Sequence, residues 1–247
     1  MSTYRAKLQG MDFAPMPRRR QGALSSILSQ VSDGVAGIEA QREPHAQFWD
    51  EWNAKAVAAD GPLWIALGDS SSQGVGAPDP ADGWVPRMAD RLRSETGDPW
   101  RVINLSITGA QYDDITAFQL DRVRDLQRAG QHPELMSLIA GANNLMAPNS
   151  WPKAFEHLDR ILSYLPAGRS VVARVGASST LNSIMARRFN ARIEAAAIDK
   201  NFQLFWPWAW PSKDGLAVDN WHPGPKGYGY MVDLIWPGIA KVLASTD

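Results

Sequence analysis

Short apolar runs alternate along the chain with longer segments in which apolar residues recur at helical spacing. The runs have the length and the β-compatible residues of buried strands, and they lie at 63–67, 101–105, 135–140, 171–175 and 202–205. The helical patterns lie between and after them, at 84–96, 113–129, 151–165, 181–199 and from 225 to about 236. Strands that alternate with helices of this length predict a parallel sheet with helices on both faces.

Individual positions add detail to these elements. Gly97 should end the first of these helices. In the second helix, Ile115, Phe118 and Leu126 are expected to point into the core. Pro237 lacks the N–H that a helix interior requires, so it should kink or restart the last helix.

The N-terminal part of the chain has a different pattern. Prolines and an arginine run favour an irregular arm up to about residue 25. A helix should follow it, because Trp49, Trp52 and Ala56 fall on one helical face. The sequence Asp-Gly-Pro at 60–62 then ends this helix.

Length and composition fit one globular domain. The chain has 247 residues, of which 45% are hydrophobic and 21% charged, and this suffices for a sizeable core. We expect one α/β domain over 61–247, preceded over 1–60 by an N-terminal arm and helix of unknown role. Lys and Arg total 25 against 26 Asp and Glu, so the formal net charge is -1. This balance argues against a nucleic-acid partner.

The chain contains no cysteine, which excludes disulfides and thiolate metal sites. The arginines at 18–20 resemble a twin-arginine start, but the stretch at 21–26 is too polar for an export signal. No run approaches the ~18 apolar residues of a membrane helix. The sequence therefore predicts a soluble, cytoplasmic protein without stable membrane insertion.

The first candidate for chemistry is Gly-Asp-Ser-Ser-Ser-Gln-Gly at 68–74, directly after the first predicted strand. Ligands bind outside the carboxyl ends of parallel strands, and the glycines permit a tight turn that exposes the Ser70 hydroxyl. The segment also suits a serine-rich connecting loop, a helix N-cap built on Asp69 or Ser70, or a phosphate-binding loop. No Gly-Lys-Ser/Thr follows, which weakens the last alternative.

The second candidate is Asp-Asn-Trp-His-Pro-Gly at 219–224, just before the last helix. A serine hydroxyl needs a base, and a histidine base needs a partner that fixes its tautomer. Asp219 lies three residues before His222, so a turn can bring the two side chains together. The alternative is a turn aspartate beside a surface histidine. The remaining histidines, which we expect to be structural, are His45, His132 and His157.

Two further segments end predicted strands, with Asn-Leu-Ser-Ile-Thr-Gly-Ala at 104–110 and Gly-Ala-Asn-Asn at 141–144. A glycine N–H and an asparagine amide are neutral donors of the kind that stabilises an oxyanion. Taken alone, each segment is more typical of a strand-ending turn. All four segments meet at one edge of the predicted sheet, which makes the set more specific than any member.

In this order the Ser, Gly, Asn and His segments resemble the four blocks of the SGNH (GDSL-type) hydrolase family, over roughly residues 60–245. The strongest pieces are Gly-Asp-Ser at 68–70 and Asp-x-x-His at 219–222. The resemblance implies a three-layer α/β/α sandwich with about five parallel strands, a flavodoxin-like SGNH hydrolase fold. It implies a serine ester hydrolase that needs no metal and no cofactor and acts on a small-molecule ester.

The resemblance also implies roles for the site residues. Ser70 is the nucleophile, His222 is the base that takes its proton, and Asp219 orients the histidine. Ester hydrolysis then proceeds through an acyl-serine that water cleaves with help from the same histidine.

The oxyanion hole implied by the resemblance consists of the Ser70 N–H, the Gly109 N–H and the side-chain amide of Asn143. The family usually has aspartate at the position of Asn144. The asparagine leaves the local hydrogen-bond network in doubt but removes no catalytic atom.

Tryptophan is the one unusual count, at 11. Trp206, Trp208 and Trp210 alternate with prolines shortly before the Asp-x-x-His segment. Aromatic walls suit an acyl chain or a sugar ring, and they equally suit a rigid loop packed on the domain. The candidates for substrate contact are Trp84, Asn144, Trp208, Trp210 and Trp221.

The family spans esterases, lipases, thioesterases and sugar deacetylases, so the resemblance does not narrow the ester. Two other classes of function are open. One is a carbohydrate- or lipid-binding module on the same fold, against which the intact Ser, His and Asp set argues. The other is a flavodoxin-like nucleotide-binding protein, in which the Asp219–His222 pair would have no purpose.

Overall fold

The computed structural model describes residues 13–20, 32–176, 180–208 and 213–245. In these residues the strands, in chain order, are β1 (Leu63–Gly68), β2 (Arg101–Asn104), β3 (Leu135–Ile139), β4 (Ser170–Ala173) and β5 (Gln203–Phe205). They pair in parallel in the order β2-β1-β3-β4-β5. This is the order of the flavodoxin-like doubly wound fold, and the predicted fold class is confirmed.

The helices cover both faces of the sheet. In chain order the described helices are α1 (Asp33–Glu39), α2 (Arg42–Ala58), α3 (Ser70–Gln73), α4 (Trp84–Thr96), α5 (Tyr112–Asp114), α6 (Leu120–Arg128), α7 (Ala142–Leu145), α8 (Trp151–Tyr164), α9 (Thr180–Lys200) and α10 (Pro225–Ala244). Short 3-10 turns lie at Pro80–Asp82, Pro148–Ser150 and Lys213–Gly215. Among the described helices, none combines the length and apolar character needed to cross a bilayer.

Each strand divides its side chains between two cores, because successive residues of a strand point to opposite faces. On β1, Ile65 and Leu67 join the core under α6, α8 and α9. Trp64 and Ala66 join the core under α2, α4 and α10. All four side chains are fully buried. Burial on both faces explains why this strand reads as a continuous apolar run in the sequence.

The predicted helix at 113–129 contains an irregularity. Between α5 and α6, residues Ile115–Gln119 form a π-helical turn, which adds a residue and rotates everything after it. Ile115 and Leu126 are buried as predicted, but the prediction for Phe118 is wrong, since its side chain is 45% exposed. Gln119 is buried instead. The turn thus exchanges an apolar side chain for a polar one on the inner face.

The ends of two other helices test the remaining predictions. Gly97 follows α4 with a φ of 74°, in the left-handed conformation that ends many helices. α10 does not stop or restart at Pro237 and continues to Ala244.

α2 lies against β2, which is an edge strand of the sheet. The indole N–H of Trp52 donates to the Val102 carbonyl at 3.0 Å. The Asn53 side chain donates to the Asn104 carbonyl at 2.7 Å and accepts from the Asn104 N–H at 2.8 Å. α2 therefore supplies the hydrogen-bond partners that this strand lacks on its open side.

Candidate active site

The loop that carries Ser70 leaves the carboxyl end of β1 directly. Asp69 is extended and caps α3, since its carboxylate accepts a hydrogen bond from the Ser71 N–H at 3.0 Å. Ser70 is the first residue of this helix. The first N–H groups of a helix have no acceptor within it, and no described residue accepts from the Ser70 N–H. The loop thus presents a hydroxyl and a free N–H side by side.

A continuous chain of hydrogen bonds links three of the predicted site residues. The Ser70 Oγ lies 3.0 Å from His222 Nε2, although the two residues are 152 positions apart. His222 Nδ1 lies 2.6 Å from Asp219 Oδ2. The contact with the carboxylate places a proton on Nδ1, which leaves Nε2 free to accept the serine proton.

The histidine is held by a tight turn just before α10. Leu216 and Pro223 form an antiparallel bridge that closes this segment. Inside it, the second carboxylate oxygen of Asp219 accepts hydrogen bonds from the N–H groups of Trp221 and His222, at 3.1 and 3.0 Å. Asp219 is therefore a turn residue and the partner of the imidazole at once.

The pKa values of the two aspartates near the serine are shifted in opposite directions. Burial opposes the ionisation of Asp219, but the hydrogen bonds and the charge of His222 outweigh it and hold the pKa of this carboxyl below its ordinary value. Asp69 is buried, and burial raises its pKa to about 6 despite the hydrogen bond from Ser71 and the charge of His222. The carboxylate that faces the imidazole is thus the more readily ionised of the two.

The loop after β2 offers a backbone donor. The Ala110 N–H donates to the Ile107 carbonyl at 2.9 Å and closes a turn, in which Gly109 has a φ of 80°. A positive φ at this position of a turn favours glycine. No described residue accepts a hydrogen bond from the Gly109 N–H. The predicted oxyanion donor is therefore uncommitted.

The predicted side-chain donor lies on α7, after β3. Asn143 Nδ2 donates to the Ala110 carbonyl at 3.0 Å and approaches Asp69 Oδ2 at 3.4 Å. The first distance is that of an ordinary hydrogen bond and the second is long. One N–H of this amide is thus firmly held, and the other is held weakly enough to turn toward a substrate oxygen.

Asn144 has a different place from the one we predicted for it. Its side chain is buried, accepts from the Tyr112 N–H at 3.0 Å, and lies 3.4 Å from the Ser150 hydroxyl. The residue is only 1% exposed and does not line the cleft beside the serine, so the assignment of Asn144 to substrate binding is wrong. It ties the start of α5 to the loop that follows α7.

Two buried glutamines hold the end of β1 and the loop after β2 in place. The sequence motifs did not point to either of them. Gln73 donates to the Ser106 carbonyl at 2.9 Å and accepts from the Thr108 N–H at 3.0 Å. Gln119, turned inward by the π-helical turn, donates to the Gly68 carbonyl at 2.7 Å and accepts from its N–H at 2.9 Å. Their partners lie 33 to 51 residues away, so no local spacing in the sequence signals either contact.

A cleft of about 210 Å³ opens beside the serine. Its lining is Asp69, Ser70, Ser71, Ala142, Asn143, Leu145, Gly176, Asn182, Trp208, Trp221 and His222. Trp208 reaches it because Gly176 carries no side chain, and a Cβ there would lie 2.8 Å from the indole Cδ1. Two of the predicted tryptophans, Trp208 and Trp221, therefore form aromatic walls of the cleft.

Trp84 does not line the cleft. Trp84 begins α4 and is fully buried, with its ring centroid 5.5 Å from that of Trp64 in the core. Its assignment to substrate binding is wrong, because its side chain is packed in the core and does not line the cleft. Trp210 lies outside the described residues. Trp206 is 45% exposed and lies under the Arg174 guanidinium.

A known protein family matches the part of the chain that contains the predicted site residues. The sequence profile of the GDSL-like lipase/acylhydrolase family matches residues 66–230. A comparison with curated protein sequences found no match. Among the described residues, no group of three His, Asp or Glu side chains is placed to hold a metal ion.

Three solved structures resemble this fold. TesA aligns at 20% identity over 73% of this chain and 99% of its own, with a TM-score of 0.61. A psychrotrophic esterase, EstA from Pseudoalteromonas sp., aligns at 19% identity over 74% and 98%, also at 0.61. The acetylxylan esterase Axe2 from Geobacillus stearothermophilus, in a catalytic mutant form, aligns at 15% over 73% and 95%, at 0.57. At these identities the similarity concerns the fold.

Proposed function

Because the chain belongs to the GDSL-like lipase/acylhydrolase family, we propose that it is a serine hydrolase that cleaves small carboxylic esters through an acyl-serine intermediate. The observation that carries this proposal is the hydrogen-bonded chain from Ser70 through His222 to Asp219. It ends at a cleft on the carboxyl edge of the sheet.

The first half-reaction is acylation. His222 Nε2 takes the hydroxyl proton while the Ser70 Oγ attacks the ester carbonyl, and Asp219 stabilises the imidazolium that forms. The imidazolium then returns its proton to the alcohol oxygen as the ester C–O bond breaks, which leaves an acyl-serine. In the second half-reaction, water loses a proton to His222 and attacks the acyl carbon. The histidine then returns this proton to the Ser70 Oγ as the bond between the acyl carbon and Oγ breaks, which releases the carboxylic acid.

The developing oxyanion would be held by the free N–H groups of Ser70 and Gly109 and by the amide of Asn143. Both backbone groups lack an acceptor among the described residues, so they are ready before substrate arrives. Donors that are already oriented stabilise the transition state without a cost of reorganisation at the moment of reaction.

The size of the cleft favours a short acyl group. Its volume of about 210 Å³ is below the roughly 300–1,000 Å³ of pockets that hold drug-sized ligands. Trp208, Trp221 and Leu145 supply apolar surface, and Asn182 is a polar side chain in the lining. We therefore place the acyl group of a short-chain ester against the two indoles.

The test is turnover of p-nitrophenyl acetate, butyrate and palmitate by the purified chain, together with time-dependent inactivation by a fluorophosphonate. We expect hydrolysis of the two short esters, little hydrolysis of the palmitate, and inactivation that a short ester slows. Saturable binding of short esters with neither turnover nor inactivation would contradict the proposal and favour a binding module.

A further inference from the structure

A segment outside the family profile reaches the loop after β2, which carries the proposed oxyanion donor Gly109. Residues 13–20 lie against α2, with Phe13 and Met16 buried in the same apolar cluster as Ile107 and Ala110. The Met16 N–H donates to the Asp50 carboxylate on α2 at 3.3 Å. We call residues 13–20 the arm. Its burial in this cluster makes the arm part of the packing around the loop that follows β2.

Arg19 connects the arm to the proposed oxyanion hole. Its Nη1 donates to the carbonyl of Gly109, and its Nε forms an ion pair with Asp114 at 3.2 Å. Arg42 of α2 donates to the Arg19 carbonyl at 2.8 Å and so fixes the arginine's backbone. Arg19 is therefore held at its guanidinium by an ion pair with Asp114 and at its backbone by Arg42 of α2.

The contact falls at a sensitive point of the loop. Gly109 has a positive φ and no side chain, so its peptide groups rotate more freely than those of other residues. Gln73 holds the loop before Gly109, through the Thr108 N–H. Arg19 holds it after Gly109, through the Gly109 carbonyl. The Gly109 N–H lies between these two anchors.

The same contact acts on the second proposed donor. The Gly109 carbonyl belongs to the peptide that joins Gly109 to Ala110, and the Ala110 carbonyl accepts the hydrogen bond from Asn143 at 3.0 Å. A change in the orientation of the first peptide would move the second carbonyl, and the Asn143 amide with it. Two of the three proposed donors thus depend on one short stretch of backbone.

We propose that Arg19 is a positioning residue for ester hydrolysis: it orients the Gly109 N–H and the Asn143 amide for the oxyanion without touching substrate. This inference rests on the proposed function. It gives the N-terminal segment, which lies outside the matched residues 66–230, a defined part in the site.

Arg18 offers a matched control. It lies on the same arm, and its side chain is 33% exposed against 34% for Arg19. Its guanidinium binds Glu43 and Asp50 of α2 rather than the loop. Arg18→Ala therefore removes a charge and a link between arm and helix while leaving the Gly109 contact in place.

The experiment compares Arg19→Ala, Arg19→Lys and Arg18→Ala in the full chain, with kcat and KM on p-nitrophenyl butyrate and thermal unfolding for each. We expect Arg19→Ala to lower kcat by about tenfold with little change in KM, since the donors act chiefly in the transition state. Arg19→Lys should fall between it and the wild type. Millimolar ethylguanidinium should restore part of the kcat of Arg19→Ala, and Arg18→Ala should keep the wild-type kcat.

Equal kcat values for Arg19→Ala and Arg18→Ala would overturn the inference, as would a loss confined to KM. If Arg19→Ala does not fold, the decision rests on Arg19→Lys, whose wild-type kcat would equally overturn it. A wild-type chain with neither turnover nor fluorophosphonate inactivation would instead contradict the proposed function. The two failures are therefore distinguishable.

Discussion

The two sides of Ser70 are built in different ways. On one side, Asp219 and His222 lie three residues apart in a single turn that makes their contact local. On the other side, Gly109 and Asn143 follow separate strands, and contacts with Gln73 and Arg19 hold the backbone on either side of the Gly109 N–H. The proposed base side is thus specified by a short motif, and the proposed oxyanion side by long-range packing. A substitution on the first side should therefore remove a catalytic contact itself. On the second side, substitutions of surrounding residues should also lower activity, because those residues hold the donors in place.

The largest effect is expected on the base side. Asp219→Asn should lower kcat by about 10⁴-fold, the loss found when the aspartate of a Ser-His-Asp triad is replaced, because the histidine loses the partner that fixes its tautomer. KM should change little. The measurement is steady-state kinetics on p-nitrophenyl butyrate, with Asp214→Asn, an exposed aspartate paired with Lys226, as the control. A loss that falls mainly on KM would mean that Asp219 shapes the cleft rather than the base.

Asn143→Ala should have the next largest effect. Loss of one oxyanion donor costs about 10²–10³ in kcat, or roughly 3–4 kcal/mol. The loss should appear in kcat because the donor interacts more strongly with the oxyanion than with the neutral ester. Kinetics on one ester, with circular dichroism to confirm folding, measure it. A fully active Asn143→Ala would show that the amide stays with the Ala110 carbonyl throughout the reaction.

The buried carboxyl of Asp69 should make the free energy of unfolding depend on pH. Its pKa in the folded chain is about 6, against an ordinary value of 3.8. Between these values the native state keeps a proton that the unfolded state releases, so the free energy of unfolding falls as pH rises. Relative to wild type, Asp69→Asn should therefore gain stability between pH 4 and 7, by up to roughly 3 kcal/mol.

Urea unfolding at several pH values measures this difference. Asp90→Asn is the control, since Asp90 is an exposed aspartate on α4. If the difference between Asp69→Asn and wild type is the same at pH 4 and pH 7, burial does not hold the proton on Asp69.

The smallest effect is expected at Asn144. Asn144→Asp keeps an acceptor for the Tyr112 N–H and leaves Asn143 untouched. We therefore expect kcat within about tenfold of wild type, or roughly 1.4 kcal/mol. Asn144→Ala on the same ester provides the comparison. If Asn144→Ala cripples the enzyme while Asn143→Ala is mild, the oxyanion assignment moves one residue along the chain.

The contrast between the two sides also explains what could be predicted from the sequence. The strands and the order of the elements follow from apolar periodicity, because a parallel sheet buried on both faces produces uniform apolar runs. The inward position of Gln119 could not be foreseen, since it depends on a π-helical turn that shifts the helical phase. Trp84 was misplaced because its core position depends on where α4 packs.

The same reasoning applies within the site. Asp219 and His222 form a contact within one turn, and local spacing is enough to predict it. The contacts of Arg19 and Gln73 join segments that only the folded chain brings together. The catalytic groups could be proposed from motifs, whereas the residues that orient them required the three-dimensional arrangement.

The most direct test of Ser70 as the nucleophile is the position of the covalent label. After reaction with a fluorophosphonate, peptide mapping by mass spectrometry should place the adduct on Ser70. Ser70→Ala should abolish both labelling and ester hydrolysis while the far-ultraviolet circular dichroism stays unchanged. Ser71→Ala and Ser72→Ala should still be labelled. An adduct on Ser71 or Ser72, or hydrolysis that survives in Ser70→Ala, would contradict the assignment of Ser70 as the nucleophile.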